Sequence, residues 1–337
     1  MSTDTNNLQV RLVRTPKGVP VEADFQLVET DPPAIGEGEV LCRNLWLSLD
    51  PYMRSQIAGR HLSGSIAPGD VLLGETVAEV IASHHDAIPV GAIVRGFGGW
   101  QTLSALPGSS VAALPEALCE SPSLALGALG MPGLTAWAGL KHHVDIQPDA
   151  TLLLGAATGA VGSVAAGLAR HWGARVVGVV GSEAKRRYAL ETLGCTEVIN
   201  RNDRSDTLDE ALRRACPDGI DIYFDLVGGA LLHSASAQLA HGGHIILCGL
   251  MAEYNSTERS GGPAPGLMLR ARATLSSLVV YDYEHQRGAF IEECLPLIQD
   301  GAIAFREDIT DSLAGAPAAF CRLMRGENFG KALVRVG

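Results

Sequence analysis

Between Leu152 and Ala169 the chain reads LLLGAATGAVGSVAAGLA, a run with no charged side chain and four glycines, at 155, 159, 162 and 167. A membrane span, a buried helix, or a turn that needs small residues could each account for it. A span needs about 20 apolar residues, and the glycines with the hydroxyls of Thr158 and Ser163 make poor lipid-facing material. The run also changes character halfway. TLLLG reads as a short buried strand, whereas AVGSVAAGLARHWG repeats apolar residues at helical spacing (Val161, Val164, Ala165, Leu168) and stops at Gly173. Strand, glycine turn and helix form the unit that places a pyrophosphate on a helix N-terminus, where free N–H groups and the helix dipole favour an anion. The turn is Ala157-Thr158-Gly159-Ala160-Val161-Gly162. It is A-x-G-x-x-G, with alanine where the dinucleotide fingerprint has its first glycine. Gly159 would admit the phosphate to the backbone, and Gly162 would let helix and strand close up. A Walker loop would require Gly-Lys-Ser/Thr, and there is no lysine here.

The second strand bears on which dinucleotide. NAD-preferring sites place Asp or Glu about 20 residues beyond the glycines, on the ribose 2′-hydroxyl. Here that strand ends in Val180, Gly181 and Ser182, followed by Lys185, Arg186 and Arg187. A missing acid with nearby cations suits a 2′-phosphate, hence NADP(H). Lys185, on the first turn of the next helix, is the best placed. Arg186 and Arg187 read equally well as a solvated helix face.

Regular alternation must position these residues. After the first helix come ARVVGVV (strand), SEAKRRYALETLG (helix), TEVIN (strand), SDTLDEALRRAC (helix), GIDIYFDLVGG (strand), ALLHSASAQLA (helix), GGHIILCGLM (strand) and ATLSSLVVYDY (strand). HQRGAFIEECLPLIQDG closes the series as a helix. Six strands with helices between most of them predict an α/β fold with a doubly wound parallel Rossmann sheet. The first 120 or so residues differ: short apolar runs broken by Pro and Gly predict a mostly-β domain, to which KALVRV near the C-terminus returns. At 337 residues, two domains are expected.

Six segments together carry a resemblance that runs nearly end to end: LSLDPYMR (47–54), GMPGLTAW (130–137), GAATGAVGSVAAGLA (155–169), GIDIYFDLVGG (219–229), LCGLMAEYN (247–255) and ENFGKALV (327–334). The chain resembles the zinc-independent medium-chain dehydrogenase/reductases, in the group of leukotriene B4 dehydrogenase, prostaglandin reductase and alkenal/curcumin double-bond reductases. The resemblance implies a GroES-like substrate domain (1–122 and 299–337) and a Rossmann NADP-binding domain (123–298). It implies NADPH-dependent reduction of the C=C bond of an α,β-unsaturated aldehyde or ketone, and commonly a homodimer. It assigns Gly159 and Gly162, with Thr158, Ala160 and Val161, to the pyrophosphate turn, and Lys185 beside Ser182 to the 2′-phosphate. Tyr254 is placed near the nicotinamide ribose and the substrate oxygen, Asn328 at the cofactor, and Tyr52 at the substrate cleft, whose shape depends on loops 57–69 and 256–272. Cys248 is expected in the strand at the cofactor edge, as core rather than as a redox group. Two positions depart from the group. Arg201 stands where many relatives have tyrosine near the 2′-phosphate, and a guanidinium can grip phosphate bidentately. Leu226 replaces the asparagine of a common DNVGG.

Zinc alcohol dehydrogenases share this fold, but a catalytic zinc needs about three protein ligands. Where those enzymes have Gly-His-Glu this chain has Leu73-Gly74-Glu75, and where they have an early cysteine it has Leu47-Ser48-Leu49-Asp50. The pairs His84-His85 and His142-His143 read as surface residues. The seven cysteines show no C-x2-C pair and read as buried thiols of a reducing cytoplasm. The expectation is therefore metal-free chemistry. Hydride attack at the β-carbon drives charge onto the carbonyl oxygen, which Tyr254 and the cofactor ribose would hold as an enolate. Two other readings stand beside this one: a quinone reductase of the zeta-crystallin type, and a non-catalytic NADPH-binding protein. A net charge of −11 argues against nucleic acid and anionic membranes as partners. The opening MSTDTNNLQVR has no apolar core of the kind a signal peptide needs, so a cytoplasmic location is expected.

Overall fold

The computed structural model describes residues 6–62, 64–256, 258 and 260–337. Residues 1–5 of the polar opening segment, and 63, 257 and 259 in the two cleft loops, lie outside the described residues. The chain forms two units, 1–127 with 307–337 and 128–306.

The first unit is built from short strands that alternate or fully bury apolar side chains. Strands β1 (Asn7–Leu12) and β2 (Phe25–Thr30) form an antiparallel pair. The main strands are β3 (Glu39–Ser48), β4 (Thr76–Ser83), β5 (Ile93–Gly96), β6 (Leu103–Pro107) and β7 (Ala112–Ala113). Val40, Cys42, Ala78, Val80 and Val94 form one of its apolar clusters. This unit is mostly β, as its sequence predicts, with α1 (Met53–Ile57) shortly after β3 and the single turn α2 (Glu116–Cys119) as its helical interruptions.

The second unit opens with α3 (Met131–His142) and then alternates: β8 (Thr151–Leu154), α4 (Ala160–His171), β9 (Arg175–Val180), α5 (Glu183–Glu191), β10 (Glu197–Asn200), α6 (Leu208–Ala215), β11 (Ile220–Asp225), α7 (Gly229–Ser236), β12 (Leu239–Leu247), α8 (Pro265–Ala271), β13 (Thr274–Ser277) and α9 (Arg287–Gln299). All six strands are parallel, in the order β10-β9-β8-β11-β12-β13. This is the doubly wound Rossmann order, whose crevice lies at the carboxyl ends of β8 and β11 where the order reverses. β8 is buried at every position, as a central parallel strand must be. The chain then returns to the first unit as β14 (Glu307–Asp311), α10 (Ala316–Met324) and β15 (Lys331–Arg335). These complete a seven-stranded sheet, β14-β15-β3-β4-β5-β7, with β6 also on β3.

Several expectations need correcting. ATLSSLVVYDY is strand only over Thr274–Ser277, and Val280–Gln286 winds as a 3-10 helix. The Gly/Pro-rich stretch after 260 contains α8, which starts on Pro265, a residue preorganised for a first helical turn. Unit boundaries fall at 127/128 and 306/307 instead of 122/123 and 298/299. The 3-10 turn Pro122–Leu126 packs on β3 and β4, while Ile303 packs against Gly167 of α4. His142 and His143 end α3, and His143 is half-buried, bonded to Ser276 Oγ at 2.8 Å and to Tyr283 Oη at 3.0 Å. The His85 ring lies against the backbone of Gly108. Cys119 is exposed and Cys248 half-buried, while the other five cysteines are buried.

Candidate active site

The glycine turn between β8 and α4 is shaped by backbone contacts that exclude larger residues. A Cβ on Gly162 would lie 2.4 Å from the Ala156 carbonyl oxygen, so only glycine allows the first turn of α4 to close over the end of β8. Gly159 N–H donates to Ala156 O at 2.8 Å, and Ser163 donates to Gly159 O through both its amide (3.0 Å) and its hydroxyl (2.9 Å). No side chain caps α4. Gly159, Ala160 and Val161 are half-buried, and the uncapped first-turn amides are available to an anion. Thr158 is buried beneath them.

The alanine in place of the first fingerprint glycine has a local explanation. Ala157 is fully buried and donates its N–H to Val179 O on β9. A Cβ on Gly178 of β9 would lie 3.0 Å from the Ala157 methyl. The missing side chain at 178 makes room for the extra one at 157.

At the end of β9 the chain presents Gly181 and Ser182, with no acid. Ser182 caps α5 by accepting the Lys185 amide at 3.3 Å, and both are half-buried. Arg201, just past β10, lies over Gly181: its Nε and Nη2 are 3.5 and 3.6 Å from where a Cβ on Gly181 would be. Asn202 Nδ2 donates to Gly181 O at 2.7 Å and fixes that crossing. Of the other two cations, Arg186 donates to Val198 O at 3.2 Å and pairs with Glu183 at 3.1 Å, whereas Arg187 is exposed. Glu183, the acid nearest the strand end, is thereby engaged with a cation. Uncapped amides, a glycine cradle and cations at the second strand end together fit a dinucleotide carrying a 2′-phosphate.

Tyr254 lies in a turn beyond β12, half-buried. Burial pushes its phenol pKa up, against the Leu250 amide, which hydrogen-bonds the oxygen; Cys248 and Glu253 add to the rise. The hydroxyl therefore stays protonated at neutral pH. The turn is stapled to the end of β11, because the Cys248 and Gly249 amides both donate to Asp225 O at 3.0 Å and Ala252 N–H donates to Val227 O just past the strand (2.9 Å), while Glu253 N–H closes the turn on Leu250 O (2.8 Å). Cys248 falls one residue past β12, not within it. Its thiol is pushed up to about 12 by burial and by Asp225, which keeps it protonated at neutral pH.

Asp225 was missed by sequence reasoning. It is fully buried at the carboxyl end of β11, and its Oδ1 accepts from Tyr223 Oη (2.6 Å), Val227 N–H (2.9 Å) and Gly228 N–H (2.8 Å). Burial raises its pKa, while the hydrogen bonds from Gly228, Tyr223 and Val227 oppose the rise. An aspartate two and three residues before the amides it accepts is an Asx-turn pattern, and that was the available signal. Neighbouring Leu226 uses its backbone to pack Gly249: a Cβ there would lie 3.1 Å from Leu226 O.

Tyr52 and Asn328 belong to the first unit. Tyr52 is the residue before α1 and stacks on His61, with ring centroids 4.9 Å apart. Asn328 Nδ2 donates to Gly330 O at 2.8 Å. The other predicted residues gather in the second unit at the carboxyl ends of its strands.

With this geometry in place, comparison with known proteins decides the family. Residues 8–114 match a family described as the N-terminal domain of oxidoreductase, and residues 160–296 one described as zinc-binding dehydrogenase. The NADPH-dependent curcumin reductase of Escherichia coli K12 is 39% identical over 332 residues, covering 96% of this chain and 95% of that one. The chain is a zinc-independent medium-chain dehydrogenase/reductase. Prostaglandin reductase 1 of Bos taurus is 38% identical, covering 94% of this chain and 95% of its own. The crystal structure of CurA from Vibrio vulnificus in complex with NADPH superposes with a TM-score of 0.92 at 35% identity, over 98% of this chain and 99% of that one.

The word zinc in the second family description has no matching ligand set: among the described residues, no three His, Cys, Asp or Glu side chains are grouped as a metal ion requires. The two carboxylates at the compared positions are occupied otherwise, Glu75 by Arg95 and Asp50 by Lys331. Nor is any helix among the described residues long and apolar enough to cross a membrane.

Proposed function

We propose that this dehydrogenase/reductase is an NADPH-dependent double-bond reductase, acting on α,β-unsaturated aldehydes or ketones without a metal. It is an oxidoreductase, and NADP(H) is its cofactor. The second unit binds that cofactor and the first supplies the substrate side. When bound, NADPH supplies the hydride for the β-carbon. The chain's own part is to bind and to stabilise charge. Uncapped α4 and the Gly159–Gly162 turn bind the pyrophosphate, and Lys185 with Arg201 and Ser182 holds the 2′-phosphate. Tyr254 holds its proton at Oη and donates a hydrogen bond to the carbonyl oxygen as it becomes an enolate oxygen. Tyr52 lines the substrate side, and Asn328 reaches the cofactor.

The observation that carries the reading is the Tyr254 hydroxyl, kept protonated by burial on a turn stapled to the same sheet edge as the cradle. A preorganised donor where negative charge develops, in a site sheltered from water, is worth about 3–4 kcal/mol. The activities named for the curcumin and prostaglandin reductases support the substrate class. The test is loss of NADPH absorbance with trans-2-nonenal, 3-nonen-2-one, curcumin and a quinone, for the native protein and Tyr254→Phe. Turnover of the enones, with kcat lowered about 100-fold or more in Tyr254→Phe, is the expected result. Activity on the quinone alone, or on none of the panel despite tight NADPH binding, overturns it. A cytoplasmic homodimer, acting on small molecules and not on nucleic acid or membrane, completes the proposal; light scattering at micromolar concentration tests the dimer.

A further inference from the structure

The first unit contains a buried polar cluster that the proposed chemistry does not use. Lys331 opens β15 and is 3% exposed. Its Nζ donates to Asp50 Oδ1 at 2.7 Å and to the Leu49 carbonyl at 2.9 Å, across a sequence separation of 281 and 282 residues. Asp50 is equally buried and its other oxygen accepts the Ser48 hydroxyl. Glu307, in register with Lys331 on β14, accepts Ser123 Oγ at 3.2 Å and leaves its Oε1 buried without a partner.

Each end of the bridge carries a residue of the proposed site. On one side, Asp50 begins the turn that bears Tyr52. Met53 N–H donates to Asp50 O at 3.1 Å, and Leu49 N–H donates to Ala332 O at 3.2 Å. On the other, Asn328 folds back onto Gly330 O, one residue before Lys331, and Phe329 N–H is held by Asp308 Oδ2 at 2.9 Å. Gly330 has φ +99°, so the chain turns sharply between Asn328 and Lys331. A buried ion pair is weak evidence for stability, since an apolar pair of similar volume often serves as well. Its place at the junction of two site-bearing segments points to another role.

We propose that Lys331 is a positioning residue, which through its buried bridge to Asp50 holds the Tyr52 turn and the Asn328 turn in the one arrangement that serves the reaction. The proposal rests on the functional reading above. A displacement of 1 Å at such a site costs about 100-fold in rate, so the bridge need not touch substrate to matter.

The test separates positioning from stabilising. Lys331→Met alone leaves the Asp50 charge buried without its cation, and lowers both the melting temperature and kcat/KM for trans-2-nonenal. Asp50→Asn, which keeps the carboxylate's shape, serves where Lys331→Met does not fold. The deciding variant is Asp50→Leu/Lys331→Met, an apolar replacement of the whole bridge. Its melting temperature is expected to return toward the native value, with NADPH still quenching protein fluorescence, while kcat/KM remains about 10- to 100-fold low, mostly through KM. Adding Tyr52→Ala to that double variant is expected to cost little more, whereas in the native protein it shows its full effect. Recovery of kcat/KM together with the melting temperature overturns the proposal, and so does an equal Tyr52→Ala loss in both backgrounds. Native-like kcat/KM in both Tyr52→Ala and Asn328→Ala overturns the functional reading of those side chains and the proposal with it.

Discussion

Gly178→Ala tests how the turn tolerates alanine at the head of its glycine motif. The new methyl would meet the Ala157 Cβ at 3.0 Å, Cys195 Sγ at 3.4 Å and Val198 Cγ2 at 3.7 Å. Carbon atoms pack best at about 3.5–4.0 Å, so the strand or the turn must give by a few tenths of an ångström. Every neighbour is buried. Overpacking of this kind costs about 1–3 kcal/mol, and because Ala157 begins the pyrophosphate turn the shift should also weaken NADPH binding. Ala157→Gly alone loses one methyl and adds glycine's backbone freedom, for about 0.5–1 kcal/mol. In the double variant Ala157→Gly/Gly178→Ala the methyl simply changes sides, and a coupling of at least about 1 kcal/mol should return most of the loss. Chemical denaturation and NADPH fluorescence titration on the four proteins give the cycle. Additive losses, or a Gly178→Ala protein as stable as the native one, would refute the packing argument.

Lys185→Ala and Arg201→Ala should each raise the Kd for NADPH by roughly tenfold or more, since a hydrogen bond to a charged group contributes about 1.5–3 kcal/mol; the Kd for NADH should hardly change, and equal effects on both would remove these residues from the 2′-phosphate. His143 and His244 share Ser276 Oγ at 2.8 Å each, and burial lowers both imidazole pKa values, with a further lowering from charge on His142 and His143 respectively. Folding therefore favours the neutral rings, and stability from this pair is present above the ordinary histidine value and lost as pH falls below it; the denaturation midpoint should drop between about pH 6.5 and 5, and less so in His143→Gln. Cys248, its thiol at about 12, should resist iodoacetamide in the folded protein at pH 8, and rapid labelling there would contradict its placement.

What the sequence revealed follows from how locally each feature is encoded. The Rossmann strands were legible because central parallel strands are continuous apolar runs between turn signals, as in Leu152-Leu153-Leu154. Helix α3 was not. Pro132 through Leu140 are all buried, so the segment has no polar face to give a period, and its two glycines and proline weaken any helical signal. Val279-Val280-Tyr281 has strand-like composition but follows edge strand β13 into a 3-10 turn, a choice made by tertiary packing. Within the site, the glycine turn and Lys185 lie in one contiguous stretch and declare themselves. Asp225 was hidden by an apolar strand that explains its own burial. The Lys331–Asp50 bridge joins residues 281 apart, and no local pattern announces it.

The most direct test of the central claim is the fate of the hydride. Reduction of trans-2-nonenal with NADPH deuterated at C4, followed by NMR of the product, should give nonanal with deuterium on the β-carbon. Deuterium on the carbonyl carbon, in an allylic alcohol, would contradict double-bond reduction.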